Sequence, residues 1–208
     1  MKDLVLSLFP KTIFMSKLNN SKKEINEILK TLENIKTYKS YQNTASSYGN
    51  VTHASNQKNV LELLPKLKNK IFSKFNYFLK KEMAYKNDFK FTTSWISKTV
   101  NDQISMYHNH KNCMYSGVYY PDMDKDSAPL FFFQENNSSF FLEPSEHKLC
   151  NTSEVKIMPP SDAVIFFPSE LFHCIGKHSS NKIRYCIAFN FFPIGNLGQA
   201  DSYAEVKC

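Results

Sequence analysis

The sequence predicts a mainly β fold, a jelly roll with helices supporting one of its sheets. Three observations predict it. From about Phe89 onward the chain is a series of short runs rich in β-branched and aromatic residues, separated by polar or proline-containing breaks at roughly 8–12-residue spacing. Before that point the apolar residues recur at helical spacing instead. Aromatic residues make up 14% of the chain, with 18 Phe and 11 Tyr against only 5 Gly, which is the composition of packed strands and not of disorder.

A chain of 208 residues is expected to form a single domain: 1–88 as helical support, 89–192 as the jelly-roll core, and 193–208 as an irregular tail. Ser21 is the expected cap of the first helix. Glu24 three residues on completes a capping box, and Ile25, Ile28, Leu29, Leu32 and Ile35 form one face up to Lys36. Residues 37–57 are polar and read as a loop with room for a short strand. A second helix is expected from about Asn59 to Met83, with Leu61, Leu64, Leu67, Ile71, Phe75, Phe78 and Leu79 on its apolar face and Pro65 tolerated near the first turn. The expected strands are Lys90–Val100, Ile104–His108, Cys113–Tyr120, Leu130–Gln134, Ser139–Leu142, Val155–Met158, Ala163–Phe167, Leu171–Ile175 and Lys182–Phe192.

The net charge is +7 and the pI near 9.0. The lysines concentrate in 11–40 and 58–90, where they alternate with apolar residues at helical spacing. They are expected on solvated helix faces, so nucleic acid is not the expected partner. No apolar run is long enough to span a membrane, and the N-terminal apolar stretch is too short for a secretory signal. Cys113, Cys150, Cys174, Cys186 and Cys208 form no C-x-x-C pair. They are expected as free thiols in a reducing, cytoplasmic compartment.

Of 26 basic residues one alone, Arg184, is arginine, and it lies in a run that reads as a buried strand. A buried charge needs a partner. A guanidinium offers a planar fork that grips a carboxylate through two parallel hydrogen bonds, which lysine cannot do. Upstream, His108 and His110 form H-x-H, and on a strand residues i and i+2 share a face. His173 follows Phe166-Phe-Pro-Ser-Glu-Leu-Phe172 and is the expected third member of a metal site. Three imidazoles on one face suit Fe(II), Zn(II), Cu(II) or Ni(II) and leave coordination positions open. His147 and His178 lie in polar stretches and are expected at the surface; His53 carries no signal.

The segments Tyr107-His-Asn-His-Lys-Asn-Cys-Met-Tyr-Ser-Gly-Val-Tyr-Tyr120, Pro159-Pro-Ser-Asp-Ala-Val-Ile-Phe-Phe-Pro-Ser-Glu-Leu-Phe-His173 and Arg184-Tyr-Cys-Ile-Ala-Phe-Asn190 together resemble the iron(II)- and 2-oxoglutarate-dependent oxygenases. They are most similar to a small bacterial and phage branch related to prolyl hydroxylases. The resemblance covers about residues 90–192. It implies a double-stranded β-helix, which is the jelly roll read above. It implies Fe(II), 2-oxoglutarate and O₂ as cofactor and co-substrates, and a hydroxylase acting on an amino-acid residue or a small molecule, with no catalytic residue beyond the metal centre. His108 and His173 would be iron ligands, with His110 in the slot of the usual carboxylate. Arg184 would hold the distal carboxylate of 2-oxoglutarate beside Tyr120. Cys186, where the family often has Ser or Thr, and Asn190, on the same face of the strand, would be further residues binding 2-oxoglutarate.

Three readings are open at His110. It is the third ligand of an all-histidine site; or an acidic residue such as Asp122, Asp124 or Asp126 completes the shell; or one of His108 and His110 contacts 2-oxoglutarate or substrate instead. Trp95, Tyr107, Phe131 to Phe133 and Phe166 are candidates to line the pocket, and the loops 37–57 and 121–129 to frame its entrance. The alternatives to the oxygenase are a cupin-like three-histidine metalloenzyme that does not use 2-oxoglutarate and a non-catalytic jelly-roll binding module with an acidic partner.

Overall fold

The computed structural model describes residues 9–40, 50–135, 140 and 142–207. Two sheets face one another. The larger joins β1 (Phe14–Lys17), β8 (Ala163–Pro168), β5 (Tyr115–Tyr120), β10 (Arg184–Leu197), β4 (Asp88–Thr99), β3 (His53–Ser55) and β2 (Thr37–Lys39), in that spatial order. A further strand, β11 (Ala204–Val206), pairs with the end of β10. The smaller sheet is β7 (Glu154–Ile157), β6 (Leu130–Phe133) and β9 (Phe172–Ile175). All the named pairings are antiparallel. This is the expected jelly roll.

Strand alternation sends each central strand of the large sheet into two cores. From β10, Tyr185, Ile187, Phe189 and Phe191 face a layer of helices, together with Tyr115 and Tyr119 of β5 and Val164 and Phe166 of β8. Cys186 and Ala188, with Val118, Tyr120, Ile165 and Phe167, face the small sheet and meet Leu130 and Phe132. Because both faces are covered, these strands read as unbroken apolar runs. Gly117 sits where β5 crosses the helix-side core; a Cβ there would come within 2.3 Å of the Phe189 ring and 2.8 Å of the Ile165 carbonyl.

The helical layer is α1 (Lys22–Glu33) and α2 (Pro65–Tyr77). The capping box forms as expected: Ser21 Oγ accepts from the Glu24 N–H at 3.3 Å, and Glu24 Oε2 accepts from the Ser21 N–H at 2.8 Å. The second helix is not continuous. A 3₁₀ turn, Val60–Leu63, precedes a break at Leu64, α2 starts on Pro65, and the chain then widens into a π turn over Phe78–Glu82. Proline disfavours the α conformation in the residue before it, so the helix can only begin at Pro65.

Other expectations need correction. Ile104–His108 forms no strand, only single bridges from Ile104 to Val51 and from His108 to His173. The tail is ordered in part, since β10 runs on to Leu197 and β11 follows. Phe14–Lys17 is a strand that the sequence did not signal, and the segment 37–57, expected as a loop with room for a short strand, holds two, Thr37–Lys39 and His53–Ser55. Of the expected strand Ser139–Leu142, residues 139 and 141 lie outside the described residues; so do Tyr41, Tyr48, Gly49 and Cys208. His178 is fully buried and not at the surface: its Nδ1 accepts from the Ala128 N–H at 3.1 Å, and its Nε2–H donates to the Lys182 carbonyl at 2.8 Å.

Candidate functional site

His108, His110 and His173 converge between the two sheets, with one ligand atom from each within 4.8 Å of the others. The backbone explains the convergence. His108 and His173 exchange both main-chain hydrogen bonds, at 3.1 and 2.9 Å, and the His110 N–H donates to the Ser169 carbonyl at 3.0 Å. The H-x-H segment thus runs beside the turn from β8 into β9. Its two-residue spacing puts both imidazoles on the face that His173 shares.

Each ring is held through Nδ1. His108 Nδ1–H donates to the Met106 carbonyl at 2.7 Å and His173 Nδ1–H to the Leu171 carbonyl at 2.9 Å. A carbonyl can only accept, so both rings carry the proton on Nδ1 and the lone pair on Nε2, the arrangement of a metal ligand. His110 Nδ1 lies 2.9 Å from Asn190 Oδ1 and 2.7 Å from Ser116 Oγ. Burial pushes all three imidazoles below their ordinary range. His110 falls to about 4 and His173 to about 3, with the neighbouring imidazoles adding to the effect of burial. All three are therefore neutral at neutral pH, as a ligand must be.

Among the described residues no carboxylate joins this cluster. The acidic candidates are engaged elsewhere. Asp122 pairs with Lys182, and Asp124 accepts from Ser127 and Ser180. Asp126 lies in the same turn, its N–H donating to Asp124 Oδ1.

Arg184 shares the pocket with the three histidines, and Tyr120, Cys186, Ser97, Ser105, Thr52 and Trp95 also line it. Arg184 is 1% exposed, and no ion pair reaches it among the described residues. Its guanidinium lies 5.1 Å from the centre of the Tyr120 ring, and Nη1 reaches Cys186 Sγ at 3.6 Å. Its Nε and Nη2 have no hydrogen-bond partner. Directly across the sheet from Arg184 is Thr99, fully buried, with its hydroxyl also unpartnered. Burial holds the Tyr120 phenol well above its ordinary pKa, against the opposing pull of Arg184, so it is a protonated donor. The Tyr120 hydroxyl accepts a hydrogen bond from Arg184, which leaves two guanidinium nitrogens and the hydroxyl of the neighbouring Thr99 without a partner.

Asn190, expected at the 2-oxoglutarate end, lies behind His110. Trp95 reaches the site, its ring 5.4 Å from that of His110. The other aromatic candidates do not line the pocket. Phe166 belongs to the helix-side core, Phe132 packs between the sheets, and Tyr107 stacks on Phe172 at 4.5 Å on the far side of the small sheet, next to Phe133. Of the two entrance loops, Thr52 and Ala54 place 37–57 at the pocket, whereas 121–129 ties to residues 178–182. Sequence reasoning missed Thr99, Ser116 and Ser169. Thr99 was legible in principle, since it alternates with Trp95 and Ser97; no pattern marked the two serines.

Residues 93–190 match a family described as putative 2OG-Fe(II) oxygenase. No curated protein matches the chain. Solved structures share the fold at low identity. A prolyl hydroxylase from Trichoplax adhaerens, in complex with a hypoxia inducible factor peptide fragment, is 13% identical with a TM-score of 0.60, over 86% of this chain and 83% of that one. HygX from Streptomyces hygroscopicus, with nickel and 2-oxoglutarate bound, is 12% identical with a TM-score of 0.57, over 88% and 83%. The α-ketoglutarate-dependent epimerase SnoN from nogalamycin biosynthesis is 10% identical with a TM-score of 0.63, over 88% and 78%. The matched segment, which carries the ordered histidine and arginine motifs, is thus similar to the 2OG-Fe(II) oxygenase family, and the chain shares the double-stranded β-helix of these solved structures.

Proposed function

We propose that the chain is an Fe(II)- and 2-oxoglutarate-dependent hydroxylase. The observation that carries the reading is Arg184: a buried, always-charged guanidinium with two unpartnered nitrogens, in the same pocket as three neutral imidazoles. Burying a charge without a counter-ion is costly. A dicarboxylate that reaches from the histidines to Arg184 removes the cost. The donor set fits both groups: three imidazoles suit Fe(II), and Arg184 with the Tyr120 and Thr99 hydroxyls suits a terminal carboxylate.

When bound, iron, 2-oxoglutarate and O₂ would supply the oxidising chemistry, with 2-oxoglutarate leaving as succinate and CO₂. The protein's own residues do the rest. His108, His110 and His173 would hold the metal, a neutral ligand set to which a carboxylate of 2-oxoglutarate would add the negative charge. Arg184, Tyr120 and Thr99 fix the far carboxylate, with the Cys186 thiol against the guanidinium. Leu130, Ile175, Val118 and Ala188 keep water from the reacting centre. Trp95, partly exposed beside His110, faces the incoming substrate.

A cupin-like enzyme that ignored 2-oxoglutarate would leave Arg184 unpaired, and so would a binding module. The substrate is an amino-acid residue or a small molecule, a range that the prolyl hydroxylase–peptide complex and HygX with hygromycin B illustrate among proteins of this fold. The free thiols Cys113, Cys150, Cys174 and Cys186 agree with a cytoplasmic location. No helix among the described residues is long and apolar enough to cross a membrane. The test is turnover: the iron-loaded protein is expected to form succinate from 2-oxoglutarate only when O₂ is present. Metal binding without any succinate, with or without candidate substrates, would contradict the reading.

A further inference from the structure

His110 is anchored differently from the other two histidines. The Nδ1 partners of His108 and His173 are backbone carbonyls two residues upstream, which no substitution removes. His110 Nδ1 instead faces two side chains, the carboxamide oxygen of Asn190 on β10, eighty residues away, at 2.9 Å and Ser116 Oγ on β5 at 2.7 Å. That carboxamide is itself held. Ser116 Oγ donates to Asn190 Oδ1 at 2.8 Å, and Ser169 Oγ lies 2.7 Å from Ser116 Oγ.

The proton order in this cluster follows from counting. Ser116 has one hydroxyl proton, and it goes to Asn190. Ser169 is then the donor to Ser116. Asn190 Oδ1 has two lone pairs; one takes the Ser116 proton and the other faces His110 Nδ1. With the oxygen turned to it, His110 must carry its proton on Nδ1 and its lone pair on Nε2. All three supporting residues are buried, Ser116 at 0%, Ser169 at 1% and Asn190 at 8% exposure. The cluster is also placed by the fold, since Asn190 and Ser116 are register partners across β10 and β5.

We propose that Asn190, braced by Ser116 and Ser169, is the positioning residue of His110. It fixes the imidazole as an Nε2 donor and strengthens it, and so lets a neutral ring serve where a carboxylate would otherwise complete the ligand set. The proposal rests on the metal-site reading above. It assigns Asn190 to the metal side of the pocket and not to the 2-oxoglutarate side.

The test uses the full chain and Co(II) alone, without 2-oxoglutarate. Cobalt affinity is read from its visible absorption in wild type, Asn190→Ala, Asn190→Asp and Ser116→Ala, each also in a His110→Ala background. Removing a hydrogen bond of this kind weakens metal binding roughly 10- to 100-fold, which is expected for Asn190→Ala. Asn190→Asp keeps the acceptor and adds a charge behind the ring, and is expected to bind at least as tightly as wild type. Ser116→Ala is expected to fall between wild type and Asn190→Ala. In the His110→Ala background these differences are expected to vanish. If Asn190→Ala does not fold, Asn190→Asp and Ser116→Ala decide the matter. Wild-type affinity in Asn190→Ala, or equal effects of Asn190→Asp with and without His110, would overturn the proposal. Failure of the wild-type chain to bind cobalt at all would overturn the metal-site reading itself.

Discussion

Replacing Arg184 with Met separates a functional arginine from a structural one, because the two roles move stability in opposite directions. In the ligand-free chain the guanidinium is 1% exposed, with Nε and Nη2 unpaired. Each unsatisfied buried donor costs about 1–3 kcal/mol. The contact with the Tyr120 ring at 5.1 Å returns about 1–2 kcal/mol. The net penalty is about 0–5 kcal/mol, centred near 2–3, and an apolar side chain of similar length removes it. For a chain of this size 1 kcal/mol corresponds to about 2–4 °C in Tm. Metal-loaded, ligand-free Arg184→Met is therefore expected to melt several degrees above wild type. Adding 2-oxoglutarate at a hundred times its Kd should stabilise wild type by about 2.7 kcal/mol and the variant not at all. The assay is calorimetric melting of both proteins under anaerobic conditions, with and without 2-oxoglutarate. A variant that melts below wild type yet keeps the 2-oxoglutarate shift would refute the reasoning, for Arg184 would then be a structural group with a partner.

Thr99→Val is expected to weaken 2-oxoglutarate binding about tenfold, the loss of roughly one hydrogen bond to a charged group, while metal affinity holds and the ligand-free chain, freed of an unpartnered buried hydroxyl, gains about 1–3 kcal/mol; isothermal titration reads both ligands and urea unfolding the stability. The metal-free protein is expected to lose stability as pH falls below about 6.5, the ordinary histidine value, towards about 3. In that window the unfolded chain binds protons that His110 and His173, held at about 4 and about 3, do not. Urea midpoints between about pH 7 and pH 4 measure this, and a flat profile would count against neutral buried ligands. Gly117→Ala is expected to destabilise by about 1–3 kcal/mol, because its methyl would meet the Phe189 ring and the Ile165 carbonyl with nowhere to move; denaturant unfolding reads it.

The parts of the fold that bury two faces were legible in the sequence. Arg184 to Phe192 alternates between the two cores as the pattern of large residues suggests, and Ser21 with Glu24 marked the first helix start. What escaped notice has physical causes. A strand of four residues such as Phe14–Lys17 is too short to show a period of two. Pro193 was read as the end of its strand; it lies beyond Phe191, the last residue that β5 pairs, where a strand flanked on one side only tolerates a missing N–H. In the site, the histidines and Arg184 were legible because their chemistry is rare in a buried strand. Ser116 and Ser169 were not, since a buried serine is recognised only by what it touches. The placement of Asn190 shows the same limit: alternation put it on the correct face, and only the structure shows which end of the pocket it serves.

The central claim is that three histidines and one arginine hold one metal and one dicarboxylate together. It is tested most directly by the visible spectrum of the Fe(II)-loaded protein under anaerobic conditions as 2-oxoglutarate is added. A metal-to-ligand charge-transfer band is expected to appear only when both are present and to be lost in Arg184→Met at the same 2-oxoglutarate concentration. Iron binding with no band at any concentration of 2-oxoglutarate would contradict the claim.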